Sequence, residues 1–572
     1  MKQAGSPRTS TYIFLSFAGI AIVTGVAYAV HLRWATDDAF ISFRYAQNLV
    51  RGLGLVYNAG ERVEGYTNFL WTVMLALGMK FSIDPVTLSI WLGVAFYAGT
   101  LILLCYGSWK MQRGFGGLLL PVAALAVSLH YDVNVFATGG LETSMYTFFV
   151  TGLFFLLMLG RSDFALVIAG FISALLLMTR PDGIVIAAAA GVFLLLEMPN
   201  AGIFKRAACF CAPIILFYAP FWLWRYSYYG FAFPNTYYAK SADMPYYSQG
   251  FEYLRLYVQS YSVLYFLPTL LVLTALTYRR WLPEWFGGTA GATRLRETPI
   301  RAVVLGLLFI MMQVLYVVRV GGDFMFARFF ICVTPIAYFT MESMLLMSTG
   351  GLGTILVAVA ILAGTYLRHD VFNGQSMNGY IANEHAFYPL STLTSVRAFG
   401  EELHQAFEGV PVRAAFAGTY ARAIYYMDPP YAIETMTGLT DTALAHRTIT
   451  ARGRPGHEKE ATTEYLLKRK VQIYFHNESF YDSTSYRSLM MFGMPVRLLY
   501  YDSAVMTPLL GNPKIKFMDM PKYLDAYIAG MDTLPVERVR QDFEGFKGFY
   551  FDYNEDEARE GKIREFLARV SR

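Results

Sequence analysis

The stretch TLSIWLGVAFYAGTLILLCY (87–106) contains no Asp, Glu, Lys or Arg. A helix of that length rises about 30 Å, which matches the hydrocarbon core of a bilayer. Runs of the same kind recur at TYIFLSFAGIAIVTGVAYAV (11–30) and AVVLGLLFIMMQVLYVV (302–318). A buried helix of a soluble core explains one such run, but not so many in one chain. Composition agrees, with 55% hydrophobic and only 16% charged residues in 572, where soluble proteins carry about 25% charged. The fold class expected is a polytopic α-helical membrane protein. The net charge of +5 gives no reason to expect a nucleic-acid partner.

Eleven spans are expected, at 11–30, 86–108, 116–130, 144–160, 163–179, 183–198, 207–224, 260–278, 301–318, 328–347 and 351–367. The first ends in Ala27-Tyr28-Ala29, the shape of a signal-peptidase site. Its apolar core is longer than a signal peptide's, so it reads as an uncleaved helix. The run TNFLWTVMLALGMKFS (67–82) decides the topology. If it does not cross and the N-terminus is cytoplasmic, Lys2, Arg8, Lys110, Arg113, Arg161, Lys205, Arg206, Arg279, Arg280, Arg294 and Arg296 all lie inside. Cytoplasmic loops are enriched in Lys and Arg, so 67–82 reads as a helix at the outer interface. The expected location is a bacterial inner membrane, with the C-terminus periplasmic.

From 369 onward polar residues return, and VRAAFAG (412–418), VQIYF (471–475) and FYFDY (549–553) read as strands. The domains expected are therefore a transmembrane catalytic part, 1–368 with an outer loop at 31–85, and an extracytoplasmic mixed α/β domain, 369–572. Cys105, Cys209, Cys211 and Cys332 all precede that second part, which excludes a disulfide framework there. His446 and His457 lack metal-ligand spacing with other His or Cys, so zinc is rejected.

The polar residues of note fall in the outer loops. Asp37 and Asp38 follow the first span within a few residues. They read equally as a boundary marker or as a general base or metal-ligand pair. Glu142 is the only charge of ATGGLETSMY (137–146), and TRPDG (179–183) adds Arg180 and Asp182. Many tyrosines, Tyr238 among them, accompany Lys240 in RYSYYGFAFPNTYYAKS (225–241), where an interfacial belt is the ordinary explanation. RVGGDFMFARFF (319–330) brings Asp323 and Arg328 beside two glycines, and GHEK (456–459) brings His457 and Lys459. Carboxylates and cations on one membrane face suit chemistry on an anionic lipid headgroup: a base deprotonates a hydroxyl and cations stabilise a leaving phosphate.

TDDAFISFRYAQNLVRGLGLVYNAGERVEGYTNFLW (36–71) resembles the first outer loop of the GT-C membrane glycosyltransferases, in the bacterial arabinofuranosyltransferase-like branch. GGLET, RPDG, PNTYYAK, VGGDFMFARFF and GLTD…GHEK, in that order, resemble the same group. The resemblance implies an inverting transferase that takes a sugar, arabinofuranose as first choice, from a polyprenyl-phosphate donor. The acceptor would be a cell-envelope glycan, lipid or protein. It implies Asp37 or Asp38 as base, with Asp37 slightly preferred. Glu142 and Asp323 match acidic positions, and Arg44, Lys240 and Arg328 are candidates for the donor phosphate. Glu64, Tyr66, Asn68, Arg180, Asp182, Tyr238, His457 and Lys459 complete the expected substrate-binding set. The resemblance names no certain cofactor and leaves open a divalent metal at the acidic pair. Alternatives are a mannosyl or aminoarabinosyl transferase, or a lipid or sugar transporter. Transporters place ionisable groups inside their spans, and these spans read as nearly free of charge.

Overall fold

A computed structural model describes residues 7–113, 120–197, 202–278, 298–348, 352–476 and 478–570. Lys2, Arg279, Arg280, Arg294 and Arg296 lie outside the described residues, and the Arg8 side chain is likewise not described. The chain forms two compact units. Unit 1 holds residues 1–50, 66–390 and 450–456, and unit 2 holds 51–65, 391–449 and 457–572.

Unit 1 is helical. Its labelled helices are α1 (Pro7–His31), α2 (Ala39–Val50), α3 (Phe69–Lys80), α4 (Pro85–Gln112), α5 (Val122–Leu129), α6 (Tyr131–Phe136), α7 (Thr143–Leu159), α8 (Asp163–Thr179), α9 (Gly183–Leu196), α10 (Ile203–Tyr229), α11 (Asn235–Ala239) and α12 (Tyr247–Ser260). Helices Phe266–Tyr278, Thr298–Val320, Arg328–Ile331, Thr334–Ser348 and Leu352–Tyr366 follow. Among the described residues four helices are long and apolar enough to cross a membrane: Ser10–His31, Pro85–Gln112, Ile203–Tyr229 and Thr298–Val320. A fifth candidate is the pair Tyr247–Ser260 and Ser262–Leu276, bent by 99°. Thr143–Leu159, Asp163–Thr179, Gly183–Leu196 and Leu352–Tyr366 are apolar but shorter.

Two expectations about the spans change. The stretch 116–130 is not one helix: α5 has 8 residues, about 12 Å of rise, and stops at His130. That residue is extended (ψ 109°) and caps α6, its Nδ1 accepting from Val133 N at 3.3 Å. The spans also carry buried charge. Glu342, in Thr334–Ser348, accepts from Gln112 Nε2 at 2.7 Å and from Ala123 N at 2.8 Å. Arg301, near the start of Thr298–Val320, pairs with Glu197 and donates to the carbonyl of Met158 at 3.0 Å. A charge within apolar packing costs several kcal/mol unless it is paired. Arg301 is ion-paired and Glu342 is hydrogen-bonded, and each ties one helix to another. The disputed run forms α3, whose 12 residues rise only about 18 Å.

Helix backbones in unit 1 approach closely where glycine allows it. A Cβ at Gly170 would meet the Phe210 carbonyl oxygen at 2.1 Å, and one at Gly250 would meet that of Val318 at 2.1 Å. The first contact sets α8 against α10. The second sets α12 against Thr298–Val320.

Unit 1 also contains a short hairpin, β1 (Met377–Asn378) with β2 (Ile381–Ala382). Unit 2 is built on a six-stranded mixed sheet of β3 (Arg413–Phe416), β4 (Tyr431–Glu434), β5 (Ile473–Phe475), β6 (Ser488–Met491), β7 (Met494–Leu498) and β8 (Ile515–Phe517), in the order β4-β3-β5-β7-β6-β8. β3 runs parallel to β4 and β5, and the remaining pairs are antiparallel. Strands β3, β4 and β5 are almost wholly buried, as parallel strands covered on both faces require. The outer edge of β4 is closed by Asn58, whose amide donates to Ala432 O and accepts from Ala432 N, both at 2.9 Å. Residues 51–65 thus complete this sheet.

The strands expected at 412–418 and 471–475 form, as β3 and β5. The one expected at 549–553 does not. Phe549 ends helix Val536–Phe549, and Phe551–Tyr553 is a 3₁₀ turn. Val539, Phe543, Phe546 and Phe549 are all buried, and their spacing of three to four marks one face of a helix. The aromatic run at 549–553 continues that stripe rather than a two-residue alternation.

Candidate active site

The acidic pair sits between α1 and α2. Amides of Ala39, Phe40 and Ile41 donate to the carbonyls of Thr36, Asp37 and Asp38 at 3.3, 3.1 and 3.2 Å. The pair therefore stands at the start of α2, where the helix dipole favours negative charge. The GGLET loop anchors this corner. Trp34 Nε1 donates to Val135 O at 2.8 Å, Thr36 N to Gly139 O at 3.1 Å, and Trp71 Nε1 to Gly140 O at 3.1 Å. Gly140 has φ +83°, and a Cβ there would meet that of Ala39 at 2.8 Å. Asp37 is buried and Asp38 half-buried, so the two neighbours are not equivalent.

Glu142, one turn beyond those glycines, is the hub of a buried ion network. It accepts from Arg180 Nη1 at 3.1 Å, Arg328 Nη2 at 3.2 Å and Asn68 Nδ2 at 3.0 Å. Asn68 is itself held, its Oδ1 accepting from Ser42 Oγ at 3.2 Å and Thr72 Oγ1 at 3.1 Å. Arg180 forks onto Asp182 at 2.8 and 3.1 Å. Arg328 reaches Asp323 Oδ2 at 3.3 Å, and Lys240 Nζ lies 4.0 Å from the other oxygen. Burial alone would raise the Glu142 carboxyl, but Arg328 and Arg180, with backbone and Asn68 hydrogen bonds, hold it below its usual value. For Asp323, Lys240 and Arg328 similarly outweigh burial. Both carboxylates are therefore ionised at neutral pH.

A cavity of about 160 Å³ opens against this network, its charged lining made by Glu142, Arg180, Asp182, Lys240 and Arg328. Thr67, Phe233, Pro234, Tyr237, Tyr316 and Phe329 supply other parts of the wall. The Lys240 side chain is 39% exposed, so its ammonium can move toward a ligand. Asp38 lies in the field of the same cations. Burial raises its carboxyl above the usual value, Arg328 and Lys240 oppose that, Asp323 adds to it, and Arg454 opposes it.

Two members of this set are absent from the sequence-level list. Glu384 is buried and accepts from Thr36 Oγ1 at 3.4 Å. Burial and the nearby Asp38 push its carboxyl up to about 8, Arg454 pulling the other way and Asp37 and Asp323 adding to the rise. Arg454 is the second. Glu384 stands in ANEH (382–385), about 350 residues from the acidic pair, with no local pattern to mark it.

The remaining expected residues divide by position. Tyr66 OH pairs with Tyr229 OH at 3.2 Å, and its ring packs on Tyr45. Tyr238 packs against Phe231 and Tyr237. Arg44 is buried in α2. Glu64, His457 and Lys459 belong to unit 2, where Lys459 Nζ donates to the Ala445 carbonyl at 2.5 Å. Among the described residues no three His, Cys, Asp or Glu side chains are grouped to hold a metal ion.

No family model matches the chain. It is 29% identical over 320 residues to the terminal beta-(1->2)-arabinofuranosyltransferase of Corynebacterium glutamicum, covering 52% of this chain and 46% of that one. It is 26% identical over 338 residues to the protein of the same name from Mycobacterium tuberculosis, covering 55% and 53%. The chain thus spans about half the length of the curated relatives it matches. Among solved structures it is similar to ArnT from Cupriavidus metallidurans bound to undecaprenyl phosphate, at 14% identity and a TM-score of 0.42, covering 75% of this chain and 87% of that one. The apo state of the same protein gives 14% and 0.41, with 76% and 88% covered. The arabinofuranosyltransferase-like resemblance carried by the loop motifs is borne out by two curated arabinofuranosyltransferases that are relatives of this chain.

Proposed function

We propose that the chain is a membrane glycosyltransferase that moves a sugar from a polyprenyl-phosphate donor to a cell-envelope acceptor, with Asp38 as the base. The observation that carries this is the half-buried Asp38 carboxylate in the field of Arg328 and Lys240, the cations that line the cavity. The similarity to arabinofuranosyltransferases favours arabinofuranose as the sugar.

In this reading the acceptor hydroxyl gives its proton to Asp38 as its oxygen bonds to the anomeric carbon. The bond from that carbon to the phosphate oxygen breaks, and the phosphate keeps the electron pair. A single displacement of this kind inverts the anomeric centre. Arg328 and Lys240 stabilise the charge on the departing phosphate. Glu142 and Asp323 keep Arg328 in place, and Arg180 is held by Asp182 and Glu142.

The test is transfer from a synthetic lipid-linked arabinofuranose donor in membranes. A positioned base contributes about 10²–10⁴-fold, so Asp38→Asn should lose that much at unchanged protein level. Transfer by Asp38→Asn within a few-fold of the wild-type rate would remove this assignment.

A further inference from the structure

The segment TARGRPG (450–456) packs with unit 1, although the chain on either side of it belongs to unit 2. It is tied down by Arg452, whose Nη1 donates to the carbonyls of Met244 at 2.5 Å and Ser241 at 3.3 Å and whose Nη2 donates to that of Lys240 at 3.4 Å. The strap thus lies on the loop that carries Lys240, and a Cβ at Gly456 would meet Lys240 Cε at 3.6 Å. Two residues past Arg452, the guanidinium of Arg454 lies over the Phe324 ring, 5.1 Å from its centroid. Phe324 links both acids of this corner. Its N–H donates to Asp323 Oδ1 at 2.9 Å, and its carbonyl accepts from Ala382 N at 2.7 Å, two residues before Glu384.

Arg180 and Arg328 are each held by two carboxylates. The Arg454 Nε is buried and, like that of Arg328, has no acceptor among the described residues. A buried donor without an acceptor costs about 1–3 kcal/mol, and a guanidinium fork presents paired N–H groups that match phosphate oxygens. Resting on the Phe324 face, in the strap that packs on the Lys240 loop, it is preset for an oxyanion that the protein does not itself supply.

We propose that Arg454, carried by the 450–456 strap, binds the phosphate of the lipid-linked donor. This rests on the lipid-phosphate reading above and deepens it, adding to Arg328 and Lys240 a ligand from a distant part of the chain.

The test uses the full chain in nanodiscs, with farnesyl phosphate and the uncharged farnesol as probes, bound at equilibrium. Wild type should bind the phosphate at least about 10-fold more tightly than the alcohol, as expected for a charge-assisted contact. Arg454→Gln should lose most of that preference while farnesol binding stays as it was. Arg454→Lys should recover part of it, because the ammonium keeps the charge but not the fork. If Arg454→Gln keeps the wild-type preference, the inference fails and the lipid-phosphate reading survives. Equal weakening of both probes would make Arg454 structural and overturn the inference. A wild type that does not distinguish the probes would remove the lipid-phosphate reading and this inference together.

Discussion

At the scale of single residues, the site separates carboxylates by environment. Asp38 is raised by burial against the pull of Arg328 and Lys240, so the acid limb of the transfer rate should lie above the ordinary aspartate value of 3.8. The rate should rise with pH through that limb, since the base must be deprotonated. Asp37→Asn should be milder than Asp38→Asn in the lipid-linked assay, because Asp37 is buried at the start of α2 and reads as its structural partner. A more severe Asp37→Asn would reverse the assignment. Glu384 gives a second prediction, on stability. Its carboxyl moves from 4.5 to about 8 on folding. Below 4.5 both states are protonated. Between 4.5 and about 8 the unfolded chain is ionised and the folded chain is not, so stability falls as pH rises. Glu384→Gln removes that titration. The variant's thermal midpoint should gain on wild type from pH 5 to 8 and then level off. Parallel curves would place Glu384 in a more polar environment than its burial indicates.

At the scale of elements, α12 acts as a clamp on the loop that delivers Asp323 and Arg328. Tyr246 N donates to Arg319 O at 2.8 Å, Tyr253 OH donates to Met325 O at 2.8 Å, and Phe329 N donates to Tyr253 OH at 3.3 Å. The loop fits under α12 because Gly322 adopts φ +73°, and a Cβ there would meet Tyr253 Cγ at 2.5 Å. Gly322→Ala combines left-handed strain of about 1 kcal/mol with a clash against a fully buried tyrosine. It should lower the thermal midpoint and raise the apparent KM for the donor, because Arg328 moves with the loop. Gly353→Ala, where a Cβ has open space, is the control. Equal effects of the two substitutions would count against the clamp.

At the scale of the whole molecule, the outstanding prediction is topology. Reporter fusions after residues 112 and 206, and after 290, should report the cytoplasm. Fusions after 240 and 380 should report the outer side. The 12-residue α3 is too short to cross on its own, since about 20 residues are needed. A cytoplasmic signal at 380 would break the parity on which an outward site depends. Unit 2 contains no cysteine, so its folding should be indifferent to oxidant, whichever side the fusions report.

Length and hydropathy made the helices readable, because a bilayer imposes its requirement on each segment separately. Within the described residues every expected span falls on a helix, a short one at 116–130 and a broken one at 260–278 and 328–347. Local composition also marked Asp37 and Asp38, since adjacent carboxylates after an apolar run are costly wherever they are not hydrated or paired. The strands at 412–418 and 471–475 followed from β-branched and aromatic content, while 549–553 failed because one aromatic stripe satisfies either period over five residues. What only the tertiary structure decided is which distant groups share a field. Glu142, Arg180 and Arg328 were visible as separate loop charges, but nothing local joins them into one network. Glu384 and Arg454 had no signal at all, and neither did the pairing of Asn58 with β4. Those juxtapositions come from packing across hundreds of residues, where the energy lies in contacts between segments and not in the preferences of any one of them.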